Sequence, residues 1–141
     1  MDIFKKLKEL NLPLGEYVII GSGILSALNL REANDLDVVV LPSLFKKLAN
    51  SGKFEEVPKY ETIFLSAEDV EIIPRLGWDG FPADASEAIK TAMMINGFPF
   101  LNIDETIRFK MAMGRPNDFR DIELLEKYKL TKIDSCHDPK H

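Results

Sequence analysis

Asp35 and Asp37 stand two residues apart at the head of an apolar run, Leu36-Asp37-Val38-Val39-Val40-Leu41. The run reads as a buried strand, and a buried strand has little reason to carry carboxylates. Side chains alternate faces along a strand, so the two aspartates share a face, about 6.6 Å apart, while Leu36 points the other way. Two anionic groups held on a rigid edge repel each other unless a cation lies between them. Hard divalent cations such as Mg²⁺ are bound in this way, through one or two carboxylates together with substrate phosphates.

A place for those phosphates lies just upstream. Val18-Ile19-Ile20 reads as a strand, Gly21-Ser22-Gly23 as a turn, and a helix follows from about Ile24. Glycine permits close approach to the backbone, and the serine hydroxyl with the helix N-terminus can bind an anion. The same glycines could open a dinucleotide fingerprint. However, Ser26 occupies the third glycine position, and the acidic residues follow too early for a ribose contact. A third carboxylate is expected on a later strand. Glu71 alternates with Val70 and Ile72, so it must face something polar; Asp69, two residues earlier on the same face, is the alternative.

The elements that would position these groups follow from periodicity. Asp2 caps a helix to Leu10, with Ile3, Leu7 and Leu10 on one face. Tyr17–Ile20 is a strand, Ile24–Leu30 a helix, Arg31–Asn34 a polar connection, and Pro42 starts a helix that ends at Ser51-Gly52. Phe54–Ile73 is strand-rich, with Thr62–Leu65 and Val70–Ile73 the clearest strands. Arg75–Asp84 is a loop in which Trp78 either anchors to the core or stacks on a base as a lid. Ala85 to about Ile95 reads as a helix, and Asn96–Phe100 as a turn into a short extended piece. Asp104 is expected to cap a helix through Met113. Gly114-Arg115-Pro116 breaks it, and Asn117 or Asp118 caps a last helix to about Tyr128. The order predicts an α/β (α+β) fold: a mixed sheet flanked by helices with a helical C-terminal portion.

At 141 residues, 45% hydrophobic and 29% charged, the chain suits one globular domain, expected over 1–134, with 135–141 as a flexible tail. No apolar run approaches the roughly 20 residues that span a bilayer. A net charge of −5 argues against a broad footprint for duplex nucleic acid. The N-terminal residues lack a signal-peptide pattern, and the single cysteine, Cys136, cannot form an internal disulfide; both point to the cytoplasm. Cys136, His137, Asp138 and His141 include metal-ligand types, but nothing in a terminal tail would fix their geometry.

Gly21-Ser22, a helical spacer and Asp35-Leu36-Asp37 on a strand together resemble the nucleotidyltransferase superfamily typified by DNA polymerase beta. The segment from Lys110 through Gly114-Arg115-Pro116 to Asp118 and Asp121-Ile122 is similar to a run common in its small stand-alone members. The resemblance covers roughly residues 15–125. It implies that Asp35, Asp37 and, in place of the more usual aspartate, Glu71 hold two Mg²⁺ ions. It implies that Gly21 and Ser22 hold a nucleoside triphosphate. The reaction would move an NMP, with ATP as the expected donor, to an acceptor hydroxyl with release of pyrophosphate. The acceptor would be a small molecule or a partner protein, as in family members that act as antitoxins. Arg31 stands where the family often has a basic residue; it would contact phosphate or pair with Glu32 or Asp35. Lys110 would reach the nucleotide or extend its stem along the surface. Arg115, Asp118 and Asp121 would be active-site periphery, or, more plainly, Arg115 and Asp118 fix the break between two helices. The contrasting expectation is a catalytically weak or inactive member that binds nucleotide or a partner.

Overall fold

The computed structural model describes residues 1–136. The elements, in chain order, are α1 (Ile3–Leu10), β1 (Tyr17–Ile20), α2 (Gly23–Ala27), β2 (Leu36–Val40), α3 (Pro42–Ala49), β3 (Glu55–Lys59), β4 (Thr62–Ala67), β5 (Val70–Ile73), α4 (Ala85–Lys90), β6 (Met93–Ile95), β7 (Phe98–Phe100), α5 (Ile103–Met113) and α6 (Pro116–Cys136). The strands form one mixed seven-stranded sheet in the order β3-β4-β5-β2-β1-β7-β6. β1 pairs antiparallel with β2, β2 parallel with β5, and β1 parallel with β7. The expected class, a mixed sheet flanked by helices with a helical C-terminal portion, is the observed one.

Strand alternation divides the core into two layers. On one face Tyr17, Ile19, Leu36, Val38, Val40, Leu65 and Ile72 pack with α1, α2, α3 and parts of the two last helices. On the other, Val18, Ile20 and Val39 pack with Leu76, Phe81, Ala88 and Leu101, with Phe109 against them. This second layer draws nothing from β3 or β4. One face of the sheet is therefore packed by helices over its central strands, and the other carries a separate apolar layer over β1 and β2 to which β3 and β4 contribute nothing. Asp37 and Glu71 lie on that second face, in the rows of Val39 and Ile73.

Local chemistry sets the boundaries. Asp2 caps α1, its carboxylate accepting from the Lys5 amide, and Asn11 closes the helix in the left-handed region. Pro42 supplies the first residue of α3 with a preset φ. Asn102, not Asp104, caps α5: its side chain accepts from the Glu105 amide at 2.9 Å, which places Asp104 inside the first turn. Gly114 ends α5 at φ 64°. Asp118 does not precede α6 as its cap; it lies in the first turn, and its carboxylate accepts from the Arg115 amide at 3.1 Å.

Several expected boundaries are corrected. The helix after the Gly21-Ser22 turn has five residues and stops at Ala27, too short for a substantial dipole. The helix from Ala85 stops at Lys90, and Met93–Ile95 is a strand instead. It pairs antiparallel with β7 across Asn96 and Gly97, both at positive φ (52° and 86°). An Asn-Gly pair between apolar runs is the strongest short hairpin signal, and here it prevails over a helical reading of the preceding residues. The last helix runs past Tyr128 to Cys136, so Ser135 and Cys136 are helical; His137, Asp138 and His141 lie outside the described residues. The sheet ends at β3, which carries Pro58 and the exposed Glu55, Glu56 and Lys59. Among the described residues no helix is long and apolar enough to cross a membrane.

Gly97 isolates the backbone term at the β6–β7 turn, because an added Cβ there meets nothing within 4 Å. Gly97→Ala is expected to cost roughly 1–2 kcal/mol of stability from the left-handed conformation alone. Urea denaturation with far-UV circular dichroism measures it.

Candidate functional site

Three chain segments converge where β1 ends and β2 and β5 begin. Ile20 lies opposite Asp37, and Asp37 lies opposite Glu71. Asp37 is thus the middle position of a row that runs from Ile20, the last residue before the glycine turn, to Glu71. Gly21, at φ 71°, brings the turn so close that an added Cβ would stand 3.3 Å from Asp37 Oδ2. Only a residue without a side chain fits both that dihedral and that approach. Asp35 is exposed and just precedes the strand rather than belonging to it. Asp69 sits exposed in the turn before β5, where its carbonyl accepts from the Leu36 amide at 2.8 Å.

Asp37 is the electrostatic focus. Burial, then the Glu71 and Asp35 charges, push its carboxyl from 3.8 up to about 6; Lys59 and Lys110 only partly offset this. Glu71, not Asp69, is the neighbour whose charge acts on it. Glu71 Oε2 accepts from Lys59 Nζ at 2.7 Å. The donor set suits a hard divalent cation: oxygen ligands only, with more negative charge than the adjacent ammonium balances. Asp37, Glu71 and Asp35 are the residues that would hold it. As they stand, no three His, Cys, Asp or Glu side chains among the described residues are gathered tightly enough to hold a metal ion.

Behind the glycine turn lies a second polar cluster, and it departs from expectation. Arg31 pairs with neither the Glu32 nor the Asp35 carboxylate. Its Nε and Nη2 donate to the two oxygens of Asp121, each at 2.7 Å, and Nη1 donates to the Glu32 carbonyl. Lys110 does not extend to the surface. It is 1% exposed and donates to Asp121 Oδ2 at 2.8 Å, with Asp118 at 3.6 Å. The Ser22 hydroxyl accepts from Arg31 Nη2 at 2.8 Å and from Lys110 Nζ at 3.2 Å, and donates to Asp121 at 3.4 Å. Arg115 Nε donates to Asp118 at 2.7 Å, which joins the helix break to the same cluster. Burial alone would raise the Asp118 and Asp121 carboxyls, but bonds from Arg115 to the first and from Arg31 and Lys110 to the second hold both below the ordinary range. Gly21 and Ser22 therefore stand between two charge fields: unbalanced carboxylates in front and a satisfied ionic network behind.

Asp121 is the residue whose weight sequence reasoning underestimated. Its spacing from Lys110 across a helix break gave one signal, but its bonds to Ser22 and Arg31 span 99 and 90 residues. Trp78 resolves toward anchoring: it exchanges backbone hydrogen bonds with Phe81, and their rings pack with Phe109 at 5.2–5.9 Å between centroids.

No protein-family model matches the chain, and none of the curated proteins matches its sequence. Among solved structures, the crystal structure of an antigenic nucleotidyltransferase-like protein from Paracoccidioides brasiliensis is similar at 20% identity and a TM-score of 0.46. The similarity covers 87% of this chain and 71% of that chain. A likeness this distant leaves the chemistry to be argued from the side chains.

Two stability tests follow from the two clusters. Asp121→Ala strands the buried Lys110 ammonium and is expected to cost about 3–5 kcal/mol, whereas Arg31→Ala, whose side chain is 33% exposed, should cost less. Equilibrium denaturation of the two variants gives the order. The folded chain holds the Asp37 proton more tightly than the unfolded chain, so this group's contribution declines as pH rises from about 4 to about 6 and the penalty is complete above that. Asp37→Asn should accordingly stabilise the metal-free protein by about 2–3 kcal/mol at pH 7 and by little near pH 4. Urea denaturation in chelator at both pH values checks the sign.

Proposed function

We propose that the chain is a metal-dependent nucleotidyltransferase. It would move an NMP, with ATP as the expected donor, from a nucleoside triphosphate to a hydroxyl of a small molecule or a partner protein. The observation that carries this reading is Asp37: half-buried, pressed against the backbone of Gly21, and raised to about 6 by burial and by Glu71 and Asp35. A fold retains such a carboxylate at a cost to its own stability, which is expected where a cation belongs.

In this reading the acceptor oxygen forms a bond to the α-phosphorus and the bond to the α–β bridging oxygen breaks. Pyrophosphate leaves with the electron pair, and the hydroxyl proton passes to a carboxylate of the site. Asp35, Asp37 and Glu71 would hold two Mg²⁺ ions, which when bound stabilise charge on the attacking and leaving oxygens. Gly21 admits the triphosphate to the backbone. Ser22 and the partly exposed Arg31 would offer the turn its donors, held together with the buried Lys110 by Asp121 before any ligand arrives. Preorganised positive groups cost no rearrangement when phosphate binds.

One observation favours a second reading, a fold retained for binding a nucleotide or partner with little catalysis. Glu71 is engaged by Lys59, and the three carboxylates are not gathered into one cluster. Calorimetry with ATP, CTP, GTP and UTP, with and without Mg²⁺, separates the two. One triphosphate is expected to bind in a Mg²⁺-dependent manner, at least about tenfold more weakly in Asp37→Asn. If the folded chain binds none of the four, the transferase reading fails and the partner-binding one replaces it.

A further inference from the structure

The Lys59–Glu71 ion pair is not one that strand neighbours make by default. β4 lies between β3 and β5. Lys59 stands opposite Thr62 on β4, whereas Glu71 stands opposite Ser66. Four residues of β4 separate those rows, about 13 Å along the strand. Lys59 nevertheless lies over the Phe64 ring, 5.7 Å from its centroid, and sets its Nζ 2.7 Å from Glu71 Oε2. Such a reach fixes a long and otherwise mobile side chain. It is explained by an acidic group that lacks any nearer cation.

The other cations close to the site are committed elsewhere. Arg31 and Lys110 are bonded to Asp121, and Arg115 to Asp118. Among the described residues, Lys59 is the basic side chain bonded to one of the carboxylates that would hold metal. The pair is also accessible, with side-chain exposures of 41% and 27%. Exposed ion pairs are weak and exchange readily. A divalent ion brings twice the charge of an ammonium to the same oxygens and can take its place.

We propose that Lys59 is an internal counter-cation for Glu71. It holds the carboxylate until a divalent ion displaces it, and the released ammonium then pairs with the phosphates of the incoming nucleotide. This rests on the transferase reading and adds a coupling to it. Metal binding would liberate an accessible positive group beside the carboxylates, so metal and triphosphate would each favour the other.

Lys59→Met keeps an unbranched side chain beside Phe64 and removes the charge, and Lys59→Arg restores it. Mn²⁺ affinity is read from the free-ion electron paramagnetic resonance signal, without nucleotide. Affinity for ATP at saturating Mg²⁺ is read by calorimetry. In Lys59→Met, Mn²⁺ is expected to bind roughly three- to tenfold more tightly and ATP more weakly by a similar factor, with Lys59→Arg near wild type. If wild type binds Mn²⁺ through Asp37, as its loss in Asp37→Asn would show, and Lys59→Met binds it no more tightly, Lys59 is not the counter-cation and the transferase reading stands. Tighter Mn²⁺ with undiminished ATP binding overturns the transfer of Lys59 to phosphate. If neither folded wild type nor Lys59→Met binds Mn²⁺, both readings fall.

Discussion

The bond between Lys110 and Asp121 joins α5 to α6, both groups bond Ser22 of the glycine turn, and much of the site depends on this junction. An ammonium and a carboxylate at 1% and 2% exposure are stable only when every donor and acceptor is used. The use is complete: Ser22, Arg31 and Asp118 take up the remaining valences, and among the described residues no buried side-chain nitrogen or oxygen lacks a partner. This constrains position as well as energy. Ser22 receives two cationic donors, so the turn cannot shift without breaking a charged bond on α5 or across to α6. Gly21 adjoins Ser22, and it passes so close to Asp37 that a Cβ on it would stand 3.3 Å from the carboxylate.

The molecule thus places two opposite electrostatic conditions a few residues apart. At Asp121 the fold spends buried volume on complete charge satisfaction. At Asp37 it leaves repulsion among Glu71, Asp35 and the aspartate itself, relieved in part by Lys59. The first condition makes the scaffold rigid, and the second makes the row of carboxylates responsive to any added cation. The proposed transferase would use both: a fixed scaffold behind the turn and a negative row in front that accepts more charge.

The sequence made the central strands legible because β1, β2, β4 and β5 are dominated by apolar or β-branched residues with polar punctuation. Asp35-Leu36-Asp37 and the register partner Glu71 stood out because carboxylates are out of place in such runs. What stayed hidden was governed by contacts distant in sequence. Nothing local distinguishes Lys110 as buried rather than surface-directed, since its partner's other ligands lie some ninety residues away. The Ala85–Ile95 segment misled because its apolar spacing suits a helix, while the decisive Asn96-Gly97 signal lay just beyond it. Lys59 was equally silent: in a strand of charged residues, a lysine that reaches across one strand to a carboxylate looks like any solvated one.

The β3 edge also governs how this chain behaves among its own copies. β3 ends the sheet with Pro58, which has no amide hydrogen to offer, flanked by Glu55, Glu56 and Lys59. A strand from another molecule laid along it would find a ladder interrupted at Pro58 and a charged, solvated edge. This edge is therefore poorly suited to runaway sheet extension, and five residues are enough to close it to further strands.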